Sequence, residues 1–384
     1  MFFVRAHGAP KKVPARRGIV IAGNLPPPVH GMAAVNAAVV EILKSRGFSP
    51  TVLNTSPRPG RSWLTRTQRF GKIATALRDL WSLGSGQGVL YLSAAGGYGQ
   101  TYDVALVLLA RVLGRVVLLH HHSYAYLRNR SSITSLLARA VGTNGLHIVL
   151  CRDMEDRLRR LYPKVANVLV LSNAAFVESE HKSPQQREAL SRIGYISNVS
   201  AEKGIFTFLD VVKTLSHTKN GQSVQASVAG AFTGNDVKDL VMERIRRMPN
   251  VSYVGPRYDE EKAHFFSSID VLLFPSTYEN EAEPLTVLEA LSHGIPVITT
   301  TRGCLAQIVP SRAGAVIPEG SSFVAAATQE LVGWIANAQE FRARCVESRL
   351  HFESLKNSQR EALAELLARL ECGVLQTKAE PSDP

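Results

Sequence analysis

The chain has 384 residues, 45% of them hydrophobic, and a formal net charge of +12. This length is roughly two to three times that of a common domain, so the composition excludes a disordered or fibrous chain and predicts a globular protein with two cores. The four cysteines lie far apart without a CxxC pair, so we expect neither a disulfide framework nor a zinc site. This cysteine usage indicates a reducing, cytoplasmic setting.

No segment of the sequence predicts a membrane span or a signal peptide. The most apolar run, residues 104–119, contains two arginines and is shorter than the roughly 20 residues that a spanning helix needs. Residues 1–17 carry five basic residues but no continuous apolar stretch. We interpret them as a flexible basic arm.

A second basic group lies downstream. No acid occurs before Asp79 in the series Arg58, Arg61, Arg66, Arg69, Lys72 and Arg78. Apolar residues recur through it at helical spacing, namely Trp63, Phe70, Ile73, Leu77 and Trp81. A basic amphipathic helix on an anionic membrane is one interpretation, and a domain helix with a solvated basic face is the other. No helix-turn-helix, zinc-finger or RNP pattern indicates binding to nucleic acid.

Apolar runs alternate with amphipathic segments along the chain, which predicts two parallel α/β domains. The first domain is expected at 18–171, a polar linker at 172–190, the second domain at 191–355, a C-terminal helix that can return to the first domain at 356–372, and a disordered tail at 373–384. Strands are predicted at 18–23, 89–93, 116–120 and 147–151, and then at 193–197, 223–229, 251–254, 271–274 and 296–299.

The first strand is followed by a proline-rich turn with Gly31 before a helix that runs to about Arg46. A glycine there lets the backbone approach a ligand closely, and a helix start favours phosphate. The turn lacks the GxGxxG of a dinucleotide site. Taken alone, it is equally consistent with an ordinary tight turn.

Three adjacent histidines, His120, His121 and His122, follow the third predicted strand. Ligands of α/β folds bind at the carboxyl ends of strands. Adjacent residues there point in different directions, so the three rings cannot easily bind one metal ion. A polar strand end without a catalytic role is the alternative.

Lys203 precedes Gly204 where the first helix of the second domain begins. An ammonium group and backbone amides at a helix start can together bind a diphosphate. A solvated loop lysine is the alternative interpretation.

The segment 275–298 contains two glutamates on either side of a short helix start. Pro284 fits the first helical position, and Gly294 ends the helix. We expect unpaired backbone N–H groups over residues 283–287, where a diphosphate is favoured. Glu281 lies just outside that end and Glu289 more than one turn inside, so one carboxylate can accept bonds from sugar hydroxyls and the other from a ribose diol. The alternative is an ordinary βα unit with solvated acids.

This segment resembles the signature of family-four retaining glycosyltransferases of the GT-B fold, in which seven residues separate two glutamates. Here the seven are AEPLTVL, between Glu281 and Glu289. Glu279 holds the family's usual place relative to the Pro-Ser pair, so we interpret the loop as carrying a two-residue insertion. The PPP-x-HG-M stretch near Gly31 is also similar to the family's first loop.

The resemblance implies two Rossmann-like domains facing each other across a cleft. It implies a histidine near the anomeric carbon of the donor, which we assign to His122 with His120 as second choice, and a diphosphate-binding Lys-Gly pair at Lys203. Asn198 stands where the family has an arginine; it can donate hydrogen bonds but brings no charge, and Arg302 is a candidate compensating cation.

The implied site residues can be stated as two groups. The catalytic group is His122, His120, Glu281 and Lys203. The donor-binding group is Gly31, Asn198, Lys203, Glu281, Ala282, Glu283, Pro284, Leu285 and Glu289. No DxD pair follows a strand, so we expect no metal, and no cofactor is implied.

The implied function is the transfer of a hexose from a nucleotide-diphospho-sugar to a hydroxyl acceptor with retention of configuration, in surface polysaccharide or glycolipid assembly. The expected partners are the donor, a glycan or lipid-linked glycan acceptor and an anionic membrane surface, which would place the protein in the cytoplasm, peripheral at the inner face of the cell membrane. Alternatives are a sugar-nucleotide epimerase of the same fold, a glycan phosphorylase and a non-catalytic membrane-binding module.

Overall fold

A computed structural model describes residues 18–27, 31–56, 62–86, 88–178 and 187–375, without the side chains of 62–69 and 372–375. The predicted basic arm, part of the predicted linker and most of the predicted tail lie outside these residues. The predicted limits of the domains and of the linker stay predictions.

The described chain forms two six-stranded sheets, and every strand pair in them is parallel. The first sheet consists of Ile19–Gly23 (β1), Thr51–Asn54 (β2), Gly88–Ala94 (β3), Arg115–His121 (β4), Leu146–Val149 (β5) and Val168–Val170 (β6). The second consists of Arg192–Ile196 (β7), Gln225–Ala229 (β8), Val251–Gly255 (β9), Val271–Phe274 (β10), Val297–Thr300 (β11) and Gly314–Ile317 (β12).

Helices connect the strands and cover the sheets. They are Gly31–Ser45 (α1), Ser62–Ser82 (α2), Gln100–Val112 (α3), Ser132–Val141 (α4), Arg152–Leu161 (α5), Ile205–Ser216 (α6), Asn235–Arg246 (α7), Asp259–Ser267 (α8), Leu285–Ser292 (α9), Leu305–Ile308 (α10), Phe323–Ala336 (α11), Ala338–Ser358 (α12) and Arg360–Leu375 (α13). Short 3₁₀ helices occur at Gly97–Gly99 and Asn173–Phe176. Within the described ranges, no helix combines the length and apolar character needed to cross a bilayer.

The central strands form the cores because they are apolar on both faces, as expected for a sheet covered by helices on both sides. Every residue of β1, β3 and β10 is buried. Three strands, β2, β6 and β12, were not predicted. All three are short edge strands of three or four residues with partly exposed side chains.

The order of the strands determines where each sheet opens. The first sheet has the order β2-β1-β3-β4-β5-β6 and the second the order β12-β11-β10-β7-β8-β9. The connections leave in opposite directions from β1 and β3, and from β7 and β10. Ligands of doubly wound sheets bind at such switch points, at the carboxyl ends of the strands.

The chain crosses between the two sheets near residue 172 and returns near residue 359. The 3₁₀ helix Asn173–Phe176 packs on α9 and α12, and α13 packs on β1 and β3. Leu366, Leu367 and Leu370 of α13 are buried in the core of the first sheet. In the described part of the predicted linker, residues 173–176, Arg187 and Leu190 are therefore packed, whereas Glu188 and Ala189 are exposed.

Candidate functional site

The loops after β7 and β10 meet at the switch point of the second sheet. Gly204 precedes α6 with φ +80°, and a Cβ built on it would lie 2.1 Å from the carbonyl oxygen of Pro275. The backbone N–H of Thr277 donates to the carbonyl of Glu202 at 2.8 Å. A glycine is therefore required at position 204, since any side chain would push the two loops apart.

The close approach of these loops joins Lys203 to Glu281. The Lys203 Nζ donates to Glu281 Oε2 at 2.6 Å, and the Ser276 hydroxyl donates to the same oxygen at 2.8 Å. The ammonium also lies 4.7 Å from the centre of the Tyr278 ring. Two residues whose roles were predicted separately thus form one partly buried charged pair.

The two candidate glutamates of the loop have different environments. The Glu279 side chain is 72% exposed and pairs with Arg128 of the first domain at 2.9 Å, whereas the Glu281 side chain is 8% exposed. The neighbouring Asn280 accepts from Arg128 at 3.2 Å and from the backbone N–H of Tyr124 at 3.4 Å. Glu279 and Asn280 therefore contact the first domain, and Glu281 is the glutamate that faces Lys203.

Helix α9 begins one residue later than predicted. Pro284 caps it with extended ψ 124°, and Leu285 is the first helical residue. The N–H of Val287 donates to the carbonyl of Pro284 at 3.1 Å, so the predicted run of unpaired amides over 283–287 was too long. The N-terminal end of the helix still presents the amides of Leu285 and Thr286.

Glu289 lies on the second turn of α9, where the spacing placed it. Lys262 of α8 donates to its Oε1 at 2.7 Å. This lysine was not predicted as a site residue, because nothing in the local sequence links it to a glutamate 27 positions away. It holds the carboxylate by charge and hydrogen bonding.

Asn198 and Arg302, the residues predicted to take the place of the family's arginine, both have other partners in the structure. Asn198 is exposed, and its carbonyl accepts from the Tyr195 hydroxyl at 3.3 Å. Arg302, the candidate compensating cation, pairs with Glu319 at 2.9 Å. Its role toward a diphosphate stays a prediction.

Glu283 has a role that the sequence did not predict. Its buried carboxyl accepts hydrogen bonds from the Ser172 hydroxyl at 2.8 Å and from the backbone N–H of Asn173, and the Asn173 side chain donates to its carbonyl at 2.9 Å. These contacts connect the α9 loop to the point where the chain passes between the sheets. Burial raises the pKa of the Glu283 carboxyl to about 8, although the hydrogen bonds from Asn173 and Ser172 oppose this shift.

This raised pKa predicts a pH-dependent stability. The pKa of the folded state, about 8, exceeds its ordinary value of 4.5, so the stabilisation is complete below pH 4.5 and is lost as pH rises through 8. Glu283→Gln should remove this component. Between pH 5 and 8.5, urea titrations should show the free energy of unfolding of the wild type falling more than that of the variant, by at least about 1.4 kcal/mol, the value of one pKa unit. Glu319→Gln, at an exposed carboxylate, serves as the control; parallel curves for Glu283→Gln and wild type would contradict the assignment.

The three adjacent histidines differ in solvent exposure. His120 and His121 are fully buried. The Nδ1 atom of His120 lies 2.6 Å from the Tyr91 hydroxyl, and burial lowers the pKa of His120 well below its ordinary value. His120, the second choice for a catalytic residue, is therefore a core residue and does not reach the surface of the cleft.

His121 belongs to a second buried group. Its Nδ1 lies 2.8 Å from the Tyr126 hydroxyl and its Nε2 lies 3.0 Å from the Nδ1 of His147. Burial lowers the pKa of His147 to about 4. His122 is partly exposed and lies directly beyond β4, with its ring 4.0 Å from that of His120. His122 remains the histidine that we assign to the cleft.

The first turn lies at the switch point of the first sheet. Gly31 is the first residue of α1, and a Cβ built on it meets nothing within 4 Å. At Gly23 a Cβ would lie 2.7 Å from the Asn36 amide nitrogen, which donates to the carbonyl of Asn24 at 2.8 Å. The glycine that this turn needs sterically is therefore Gly23.

The expectation that no disulfide forms was wrong. Cys151 and Cys304 are bonded, with their Cα atoms 6.1 Å apart although they are 153 positions apart in sequence. Cys151 precedes α5 of the first domain and Cys304 precedes α10 of the second. Only the packing of the two domains brings them together, so a search for local spacings could not find the pair.

Residues 191–337 match the family model of glycosyl transferases group 1. Sulfoquinovosyl transferase SQD2 of Arabidopsis thaliana is 32% identical over 149 residues, which cover 38% of this chain and 28% of the relative. The match therefore spans less than a third of that relative's length.

Solved structures match over most of the chain. HepE from Anabaena superposes with a TM-score of 0.66 at 14% identity, covering 91% of this chain and 99% of its own. Sucrose-phosphate synthase from Thermosynechococcus elongatus gives 0.68 at 16% identity, covering 92% and 99%. These matches confirm the predicted fold. The chain therefore has a GT-B fold, and its residues 191–337 match the family model of glycosyl transferases group 1.

Proposed function

We propose that the protein transfers a hexose from a nucleotide-diphospho-sugar to a hydroxyl acceptor with retention of configuration. The observation that carries this proposal is the Lys203–Glu281 pair at 2.6 Å, which lies at the switch point of the second sheet beside the start of α9. The loop after β7 carries the cation for the diphosphate, whereas the loop after β10 and helix α9 carry the carboxylate for the sugar and the second carboxylate for the ribose. HepE, a structural neighbour, has been solved with UDP and with UDP-glucose, which supports a donor of this class.

In the proposed reaction, the bond between the anomeric carbon of the sugar and the diphosphate breaks, and the diphosphate leaves with the negative charge. As the anomeric bond breaks, charge develops on the diphosphate, and a preorganised ammonium and helix amides stabilise it. Lys203 and the amides at the start of α9 fill this role in the proposal. Gly31 and Asn198 contribute donors from the neighbouring loops.

The sugar is assigned to Glu281 and His122. Lys203 and Ser276 both contact Oε2 of Glu281, so we assign Oε1 to the sugar hydroxyls. His122 contacts the sugar from the first domain, near the anomeric carbon. Ala282, Glu283, Pro284 and Leu285 contribute backbone rather than side chains, because the Glu283 carboxyl bonds to Ser172 and Asn173.

A calorimetric panel of UDP-, GDP- and ADP-sugars tests the donor class. Binding of one donor at micromolar affinity, followed by transfer to an acceptor, is the expected result. Incubation with donor alone separates the rival of the same fold: a changed sugar on an intact nucleotide would indicate an epimerase. Failure of every nucleotide sugar to bind would remove the transferase proposal and favour a non-catalytic module.

Glu289→Gln should weaken binding of the nucleoside diphosphate. The carboxylate is assigned to the ribose diol, and loss of a charged acceptor costs on the order of 1–3 kcal/mol, which isothermal titration measures as a higher Kd. Lys262→Met should also raise Kd, since Lys262 holds Glu289 at 2.7 Å, while Lys262→Arg should restore part of the affinity. Glu243→Gln, at an exposed glutamate of α7 that pairs with Arg247, is the control outside the proposed donor site, and unchanged affinity in Glu289→Gln would end the assignment.

The second part of the proposal is a lipid-linked glycan acceptor used at an anionic membrane on the cytoplasmic side, in surface polysaccharide or glycolipid assembly. On α2, Phe70 is 61% exposed and Trp81 is 63% exposed. At about 100° per residue, eleven positions bring these rings onto one face. Arg78 on the same helix is exposed as well. Exposed aromatic rings beside a cation suit the headgroup region of a bilayer.

A double variant tests this membrane face. Phe70→Ser with Trp81→Ser should reduce co-sedimentation with phosphatidylglycerol vesicles several-fold, and binding of the wild type should fall as salt increases. The matched control is Val346→Ser with Leu350→Ser, a pair of exposed apolar residues on α12 of the other domain. If the α2 variant sediments like the wild type, α2 is not the membrane face; if the wild type stays in the supernatant at low salt, a soluble acceptor replaces the lipid-linked one.

A further inference from the structure

The Cys151–Cys304 bond connects the two domains beside the proposed donor site. The backbone N–H of Cys304 donates to the carbonyl of Ala282 at 2.8 Å, so the bond is anchored to the residue that follows Glu281. Both cysteines are buried, at 5% and 0% exposure. Any separation of the domains at this point must therefore break the bond or move the Glu281 loop.

Other contacts between the domains surround the bond. The Tyr124 hydroxyl lies 3.6 Å from the Cys151 sulfur and 3.9 Å from the Cys304 sulfur, and it donates to Asp153 at 2.9 Å. The backbone N–H of Tyr124 donates to Asn280, which also accepts from Arg128. The loops after β4 and β5 thus meet the loops after β10 and β11 in one continuous interface.

We propose that the two cysteines are a redox-controlled tie across the cleft. When oxidised, the pair holds the domains in the arrangement described here. When reduced, it leaves noncovalent contacts such as those of Tyr124, Arg128 and Asn280, and the domains can separate. The consequence for turnover rests on the proposed function, because donor entry and nucleotide release require the cleft to open.

The reaction is a thiol–disulfide exchange with a small disulfide such as oxidised glutathione. One cysteine thiolate attacks the glutathione disulfide, releases one glutathione thiol and forms a mixed disulfide. The second cysteine then displaces the other glutathione. The two protein thiols lose two electrons and two protons in total, and two glutathione thiols are formed. A dithiol reductant reverses both steps.

Burial determines how the tie responds. Both cysteines are buried in the described arrangement, so exchange requires transient separation of the loops and should be slow until the interface opens. In a reducing compartment the pair exists as thiols, and the bond forms on oxidation. Cys345, the free cysteine among the side chains that the structure describes, is held inert because burial raises the pKa of its thiol to about 12.

Peptide mapping detects the tie without an activity assay. After incubation with oxidised glutathione and alkylation, tryptic digestion should yield residues 140–152 linked to residues 303–312, and dithiothreitol should abolish this species. The same oxidation should raise the apparent Tm of the wild type by at least about 3 °C, since a cross-link restricts the unfolded chain. Cys345→Ala should behave like the wild type, whereas Cys151→Ala and Cys304→Ala should show no shift. Failure of the linked peptide to form, or an equal shift in all four proteins, would overturn the tie.

Turnover tests the regulatory part separately. The oxidised wild type should transfer sugar at least about 10-fold more slowly than the reduced protein, and Cys304→Ala should not respond to oxidation. A linked peptide with unchanged turnover would overturn control of the cleft. Absence of transfer in every protein, including the reduced wild type, would instead overturn the proposed function while the peptide and Tm results still decide the tie.

Discussion

Lys203→Met is expected to lower kcat by roughly 10²–10³-fold, the usual effect of removing one charged group that stabilises developing negative charge. Methionine keeps a similar length beside the Tyr278 ring but removes the ammonium that lies 2.6 Å from Glu281. Steady-state kinetics with the best donor of the panel measure the effect. KM for the donor should rise less than kcat falls, because the charge on the diphosphate is greatest in the transition state.

A control must separate this effect from loss of stability. Lys203→Met leaves the buried Glu281 carboxylate without its cation, which is itself destabilising. The double variant Lys203→Met with Glu281→Gln removes both charges, so it should recover stability but not activity. Lys238→Met, at an exposed lysine of α7, should leave kcat unchanged. Activity in the double variant near that of the wild type would show that the pair is structural only.

Gly204→Ala is expected to destabilise the second domain by about 2–5 kcal/mol, the sum of a left-handed backbone cost and an overpacking cost. Gly204 has φ +80°, and its added Cβ would lie 2.1 Å from the Pro275 carbonyl. Backbone atoms cannot rotate away as a side chain can, so the loop that carries Lys203 must shift. Urea unfolding, followed by tryptophan fluorescence, measures the change, and the donor Kd should rise with it.

Gly255→Ala provides a matched control for the close approach. Gly255 has nearly the same φ, +81°, but a Cβ there meets nothing within 4 Å. This variant should lose only the backbone cost, about 1–2 kcal/mol. The difference between the two variants therefore measures the contact between the β7 and β10 loops. Equal destabilisation would mean that the loops relax freely and do not hold Lys203 against Glu281.

The arrangement of the site follows from strand order. Lys203 and Glu281 are 78 positions apart, yet they meet because β7 and β10 are neighbours in the second sheet. Their loops leave the shared edge in opposite directions and open a crevice. Glu279 and Asn280 of the β10 loop contact Arg128 and Tyr124 of the first domain, so the loop that carries Glu281 also forms part of the interface.

The sequence alone determined the central strands, the approximate limits of helix α9 and the places of its two glutamates. The central strands are continuous apolar runs, and α9 has a proline before it and a glycine after it, so both could be predicted from neighbouring residues. The seven-residue spacing also placed Glu281 outside and Glu289 inside the helix. The edge strands β2, β6 and β12 were not predicted. A short strand that pairs with one other strand and has partly solvent-exposed side chains carries no strong apolar pattern.

Only the tertiary structure showed which side chains contact the candidate site residues. It separated His122 from the buried His120 and His121, brought Lys262 to Glu289, and joined the Glu283 carboxyl to Ser172. The disulfide between Cys151 and Cys304 is likewise a contact between residues far apart in sequence. Helices and strands depend mainly on residues that are close in sequence. The contacts between distant residues depend instead on the order of strands in each sheet and on how the two domains pack, and no local sequence pattern encodes either.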